Sequence, residues 1–176
     1  MILTRSLLLS TDWAKMTISI SVITQNRPAS LVRLLSSMAS AHYVGDNIPL
    51  SFHMDRKVDI QTLRLANNFD WPHGNKLLHR RIIQGGLIRA VSESWYPTSD
   101  HTFGLLLEDD VEVSPFFYLW LKYTLLVYHY DPKVIFMLNK PLDSISIFIY
   151  IYVLQYKSIS SECCEHEDLV FVEVLI

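Results

Sequence analysis

Phe103-Gly104-Leu105-Leu106-Leu107-Glu108-Asp109-Asp110-Val111-Glu112-Val113-Ser114-Pro115 is the stretch on which the reading of this 176-residue chain turns. An apolar run of strand type delivers three consecutive acids to its end, and a helix start follows at once. Carboxylates set side by side repel one another and resist burial unless a cation or hydrogen-bond donors compensate them. A strand ending in such a cluster is a candidate seat for Mg²⁺ or Mn²⁺, hard ions that take oxygen ligands and bridge to phosphates. The alternative is a solvated turn. Open α/β sheets bind ligands outside the carboxyl ends of their strands, and a buried-looking strand directly before the acids favours the site.

Working outward, the elements alternate. Thr17 to Thr24 alternates polar and apolar residues with period two, the mark of a strand. Pro28 suits a first helical position, and Leu31, Leu34, Leu35 and Met38 then recur as an amphipathic stripe. Ile48 to Met54 reads as a second strand ending at Asp55, and Val58 to Asn68 as a second helix. Asp70 to Asn75 is a loop, followed by a basic stretch from Lys76 to Arg81. Gly85-Gly86 opens a helix running to Trp95, and Pro97 stops it. After the Phe103–Leu107 strand, Ser114 is a good N-cap for a helix that Asp131-Pro132 ends. The predicted class is α/β, a mostly parallel sheet with helices on both faces.

Composition agrees with one globular domain. Half the residues are hydrophobic and 19% are charged, which excludes a disordered chain. A net charge of −3 offers no whole-chain attraction for nucleic acid, and none is expected as a partner. Cys163 and Cys164 are adjacent and supply neither a disulfide framework nor paired zinc knuckles. Met1 to Met16 holds no signal-peptide core or anchor, since Asp12 and Lys15 interrupt its apolar run. Ile145 to Leu154 is strongly apolar but short of the roughly 18 residues of a membrane span, and its β-branched and aromatic content reads as a strand or a sticky segment.

The motifs Ile23-Thr24-Gln25-Asn26-Arg27-Pro28, Met54-Asp55, Arg81-Ile82-Ile83-Gln84-Gly85-Gly86-Leu87-Ile88-Arg89-Ala90 and Leu107 to Pro115 resemble, in this order, the nucleotide-diphospho-sugar transferases of GT-A type. The similarity is nearest to a plant-type group and more distant to enzymes that add N-acetylglucosamine to mannose in N-glycans. It implies an incomplete, Rossmann-like nucleotide-sugar-binding half over residues 17–133, after a non-domain leader segment at 1–16. Residues 134–176 form an atypical tail, expected to be non-native sequence of a truncated product. The kinship also implies a Golgi or endomembrane location.

By the same resemblance, Asp110 matches the acid that ligates Mn²⁺ (or Mg²⁺). Glu108 and Asp109 would hold metal-bound water or the ribose and sugar hydroxyls of a donor, expected to be UDP-linked. Asp55 matches an acid that accepts hydrogen bonds from uracil, although a helix cap ahead of Val58 is an equal reading. Arg27 matches a position that contacts donor phosphates; a solvated loop arginine is the alternative. Arg80, Arg81 and Arg89 are read as a solvated face, with contact to diphosphate near a strand end as the alternative, and Gly85-Gly86 as either a close approach to phosphate or tight packing. His53, His101 and His129 lack ligand-like spacing and are assigned to structure. The acceptor would be a glycan or glycoconjugate hydroxyl. No catalytic base is nominated, because the resemblance stops before the half expected to carry it; Glu112 is a conceivable stand-in but reads better as a surface residue. Two other classes stay open: an inactive nucleotide-sugar-binding fragment, and a metal-dependent phosphohydrolase or nucleotidyltransferase.

Overall fold

The computed structural model describes residues 13–96, 98–99, 101–128, 148–154 and 171–175. Four strands run parallel: β1 (Thr17–Thr24), β2 (Leu50–Met54), β3 (Lys76–Arg80) and β4 (Thr102–Glu108). Two more, β5 (Phe148–Leu154) and β6 (Phe171–Leu175), add antiparallel to give the order β3-β2-β1-β4-β5-β6. The described part of the apolar run, Phe148–Leu154, is thus a strand. Register sets Val22 beside both Phe52 and Leu107, so the chain ends β1, β2, β3 and β4 along one edge of the sheet. That edge carries the acids.

The period-two pattern has a physical outcome. Ile18, Ile20 and Val22 join Leu50, Phe52, Met54, Phe103, Leu105 and Leu107 in the buried core on one face. Ser19, Ser21, Ser51 and His53 fall on the other. The basic stretch at 76–80 is also a strand, which its composition conceals. As a sheet edge it has one strand neighbour, so Leu77, His79 and Arg80 remain exposed and no apolar alternation is required of it.

Helix α1 (Pro28–Ala39) starts on Pro28 and buries Leu31, Leu34, Leu35 and Met38 against the core. Truncating a fully buried leucine such as Leu34 to alanine costs about 2–5 kcal/mol. Helix α2 (Ile60–Asn68) is capped by Asp59, whose Oδ1 accepts from the Thr62 amide at 2.8 Å. Helix α4 (Phe117–Tyr128) lays Phe117, Tyr118 and Leu121 on the core, starting two residues beyond Pro115.

Helix α3 (Gly86–Ser92) buries none of its residues and is shorter than its sequence pattern predicts. Beyond it the chain turns so that Ser94 O accepts from Ser21 Oγ and the Trp95 ring covers Gly104. Trp95 therefore leaves the helix to pack on β4.

One charged cluster is built into the core side. Lys122, 1% exposed, donates to Asp46, which also accepts from the Tyr118 hydroxyl at 2.6 Å. The ammonium lies over the Trp13 ring at 4.6 Å. Pairing of this kind is what makes a buried charge tolerable, and here it ties α4 to the turn before β2. Among the described residues no helix is long and apolar enough to cross a membrane. Residues 1–12, most of 134–176 and Asp131-Pro132 lie outside the described residues.

Candidate functional site

The site grows from the turn that follows β1. Asn26 takes a left-handed backbone (φ 56°), which asparagine tolerates better than most residues, and its Oδ1 accepts from the Asp59 amide at 2.7 Å. That bond ties the β1–α1 turn to the start of α2. Arg27 then projects across the sheet edge toward the end of β4. Its Nη1 lies 3.1 Å from Asp110 Oδ2 and 3.5 Å from Asp109 Oδ1.

The three acids are not equivalent. Asp109 is buried, and its Oδ2 accepts from Thr24 Oγ1 at 2.9 Å and from the Gln25 amide at 3.2 Å. Burial raises its pKa, while Thr24, Gln25 and Arg27 oppose the rise. Glu108 is half-buried; desolvation raises its pKa first, followed by the charges of Asp110 and Asp109, with Arg27 acting against them. Asp110 is half exposed, and Arg27 engages one of its oxygens. Asp109 thus anchors the turn after β1, and Asp110 offers its carboxylate outward.

Asp55 ends β2 on the other flank of β1. Its carboxylate accepts from the Arg56 amide at 2.7 Å and from the amides of Gly85 at 3.3 Å and Gly86 at 3.2 Å. The Arg56 amide chiefly holds its pKa below the ordinary carboxylate value, against burial, with help from the two glycine amides. The helix-cap role belongs to Asp59, four residues on. Gly86 sits at φ 70°, a conformation that a side chain would strain, so the amide pair facing Asp55 depends on glycine there.

The remaining basic residues are engaged locally. Arg81 donates to the Arg89 carbonyl and to Glu93, each at 2.7 Å, and Arg80 donates to the Arg56 carbonyl at 3.1 Å. Glu112 pairs with Arg33 at 3.2 Å on the exposed surface. Thr24 and Gln25 have structural roles at the site that sequence reasoning did not assign, although both lie inside the quoted Ile23–Pro28 motif.

Among the described residues no three His, Cys, Asp or Glu gather to hold an ion by themselves. That does not conflict with the hard-ion chemistry expected here. Mg²⁺-type sites commonly use one or two carboxylates and complete the shell with water and substrate phosphates. An outward carboxylate on Asp110, beside a guanidinium that suits phosphate, fits such a shared shell.

Comparison with solved structures shows a fold shared over part of the chain. S. aureus TarS 1–349 matches over 65% of this chain and 33% of its own, at 18% identity and a TM-score of 0.51. The same protein is also solved in complex with UDP-GlcNAc, where the match has a TM-score of 0.52. The mannosyltransferase PcManGT from Pyrobaculum calidifontis, in complex with GDP-Man and Mn²⁺, matches over 66% of this chain and 33% of its own, at 13% identity and a TM-score of 0.52. The chain thus spans about a third of the length of the solved structures it matches. No curated protein matches it. A protein-family model described as the SPBC1E8.03c C-terminal domain matches residues 29–147, and the chain belongs to that family.

Proposed function

We propose that this chain is the donor-binding half of a glycosyltransferase that moves a sugar from a UDP-linked nucleotide to an acceptor hydroxyl, aided by Mn²⁺ or Mg²⁺. The observation that carries the reading is the bridge from Arg27 to Asp109 and Asp110 at the joined ends of β1 and β4. Asp110 would ligate the cation and Arg27 would take a phosphate oxygen of the donor. Glu108 would hold metal-bound water, and Asp55 with the Gly85–Gly86 turn would border the nucleoside. Asp109 contributes by fixing the turn that carries Arg27. The cation, when bound, supplies Lewis-acid stabilisation to the charge that grows on the departing diphosphate. The motif order further supports kinship with the plant-type and N-glycan N-acetylglucosamine enzymes and an endomembrane location.

The test is titration calorimetry of the full chain with UDP. Micromolar-range binding that requires Mn²⁺ and disappears in Asp110→Ala is expected, the usual scale for enzyme substrates. Absence of metal-dependent UDP binding would remove the reading. Measured donor hydrolysis or sugar transfer would separate an active enzyme from an inactive binding fragment.

A further inference from the structure

Behind the strand ends, on the face opposite α1 and α2, a cavity of about 590 Å³ opens between β2, β3 and the segment 93–96. Its volume lies in the range of small-molecule sites. Its lining carries an unusual concentration of nitrogen bases: His53, His79, Arg80 and Arg81, with Glu93 as the one carboxylate. His53 and His79 are register partners on adjacent parallel strands, so their rings must share a face. They stack with centroids 4.9 Å apart and planes 15° from parallel.

We propose that this cavity binds a tetrahedral oxoanion, a phosphate or sulfate group, held by His53 and His79 with Arg80 and Arg81 at its rim.

Charge supports this choice over a cation. Glu93 neutralises Arg81 at 2.7 Å, whereas Arg80 meets the Arg56 carbonyl, so the lining keeps an excess positive charge even with both imidazoles neutral. A divalent metal would meet repulsion from both guanidinium groups. The groups that face His53 are Ser51 on its own strand, His79 and Arg80 on β3, and Arg81 and Glu93 beyond. Burial pushes the His53 pKa down to about 4, and the neighbouring His79 and Arg81 add to the fall. An anion seated against the ring reverses the electrostatic part of that cost.

The hydrogen-bond chain behind His53 orders its protons. Ser21 Oγ donates to the Ser94 carbonyl at 3.1 Å, so in its 3.0 Å contact with Ser51 Oγ it must accept. Ser51 has then spent its single proton, and in its 3.0 Å contact with His53 Nε2 it accepts in turn. Neutral His53 is therefore the Nε2–H tautomer, and the proton taken up with an anion goes to Nδ1.

This site does not depend on the donor reading, and its test keeps the two apart. Sulfate, whose charge is constant over the range used, is titrated by NMR into the full-length Asp110→Ala chain from pH 8 to pH 5. Sulfate is expected to shift the His53 and His79 ring signals and to bind more tightly as pH falls, by about tenfold for each pKa unit restored to His53. His53→Gln, confirmed folded by circular dichroism, is expected to lose that pH dependence, and His79→Gln, likewise confirmed, to bind sulfate more weakly. In the unsubstituted chain, UDP with Mn²⁺ is expected to leave sulfate binding in place. No sulfate binding, pH-independent binding, binding unaffected by both glutamine variants, or displacement by UDP with Mn²⁺ would each overturn the proposal.

Discussion

Arg27 Nη1 stands 3.1 Å from Asp110 Oδ2 and 3.5 Å from Asp109 Oδ1, so one guanidinium spans an exposed and a buried carboxylate of the same turn. The pairing holds the end of β1 against the end of β4, yet Arg27 itself is 57% exposed. Exposed pairs contribute little to folding, so Arg27→Ala should change stability by no more than about 1 kcal/mol in urea. If Arg27 contacts donor phosphate, the same variant should weaken UDP binding by about ten- to a hundredfold, the scale of a charged hydrogen bond. Arg27→Lys should recover part of it. A large loss of stability with unchanged UDP affinity would make the residue structural.

Asp109 should behave in the opposite way. Its carboxylate satisfies the Thr24 hydroxyl and the Gln25 amide at a site only 4% exposed. Asp109→Ala leaves buried donors without acceptors and should cost about 1–3 kcal/mol by urea denaturation. Thr24→Val removes one donor but leaves the carboxylate its other partners, so its cost should be smaller. Equal costs for the two variants would show that the Thr24 bond is what Asp109 is there to make.

The contrast between these acids marks how far the sequence could be read. Thr17–Thr24, the Leu31–Met38 stripe and the Phe103–Leu107 run fold as their local patterns predict, because period and capping residues act over a few positions. Edge strand β3 escaped notice because an edge imposes no apolar alternation on Lys76–Arg80. The different duties of Asp109 and Asp110 depend on Thr24 and Gln25, more than eighty residues away, and adjacent acids look alike without that partner. The His53–His79 stack likewise exists only through the parallel register of β2 and β3. Asp59 was the most legible omission, since an Asp three residues before Thr62 is a recognisable cap.

Gly104 tests the packing on the less covered face. A Cβ added there would come within 2.5 Å of Trp95 Cδ2, too close for the ring to stay in place. Gly104→Ala should therefore expel the indole and cost about 1–3 kcal/mol, with loss of the near-ultraviolet signal of Trp95. The cost should fall when Trp95→Ala is already present, because the clash is gone. Additive costs in that double-mutant cycle would mean that the strain lies elsewhere.

His53 gives the chain an acid-side weakness whose direction follows from proton linkage. Its folded pKa lies at about 4, chiefly through burial, against an ordinary value of 6.5. Between those values the unfolded chain holds a proton on this residue that the folded chain does not, so stability rises with pH across the window. Unfolding followed by fluorescence should show stability falling as pH drops from 6.5 toward 4. Below 4 this contribution levels off, because both states are then protonated. His53→Gln should flatten that part of the profile, since glutamine keeps an amide for Ser51 without a titrating ring. Sulfate, by favouring the imidazolium and so raising the folded pKa toward the ordinary value, should make the fall smaller and end it at a higher pH in the parent chain, and leave the shape of the His53→Gln profile unchanged. A profile identical with and without His53 would mean that the ring is solvated enough to titrate normally, and the buried imidazole would no longer explain the loss.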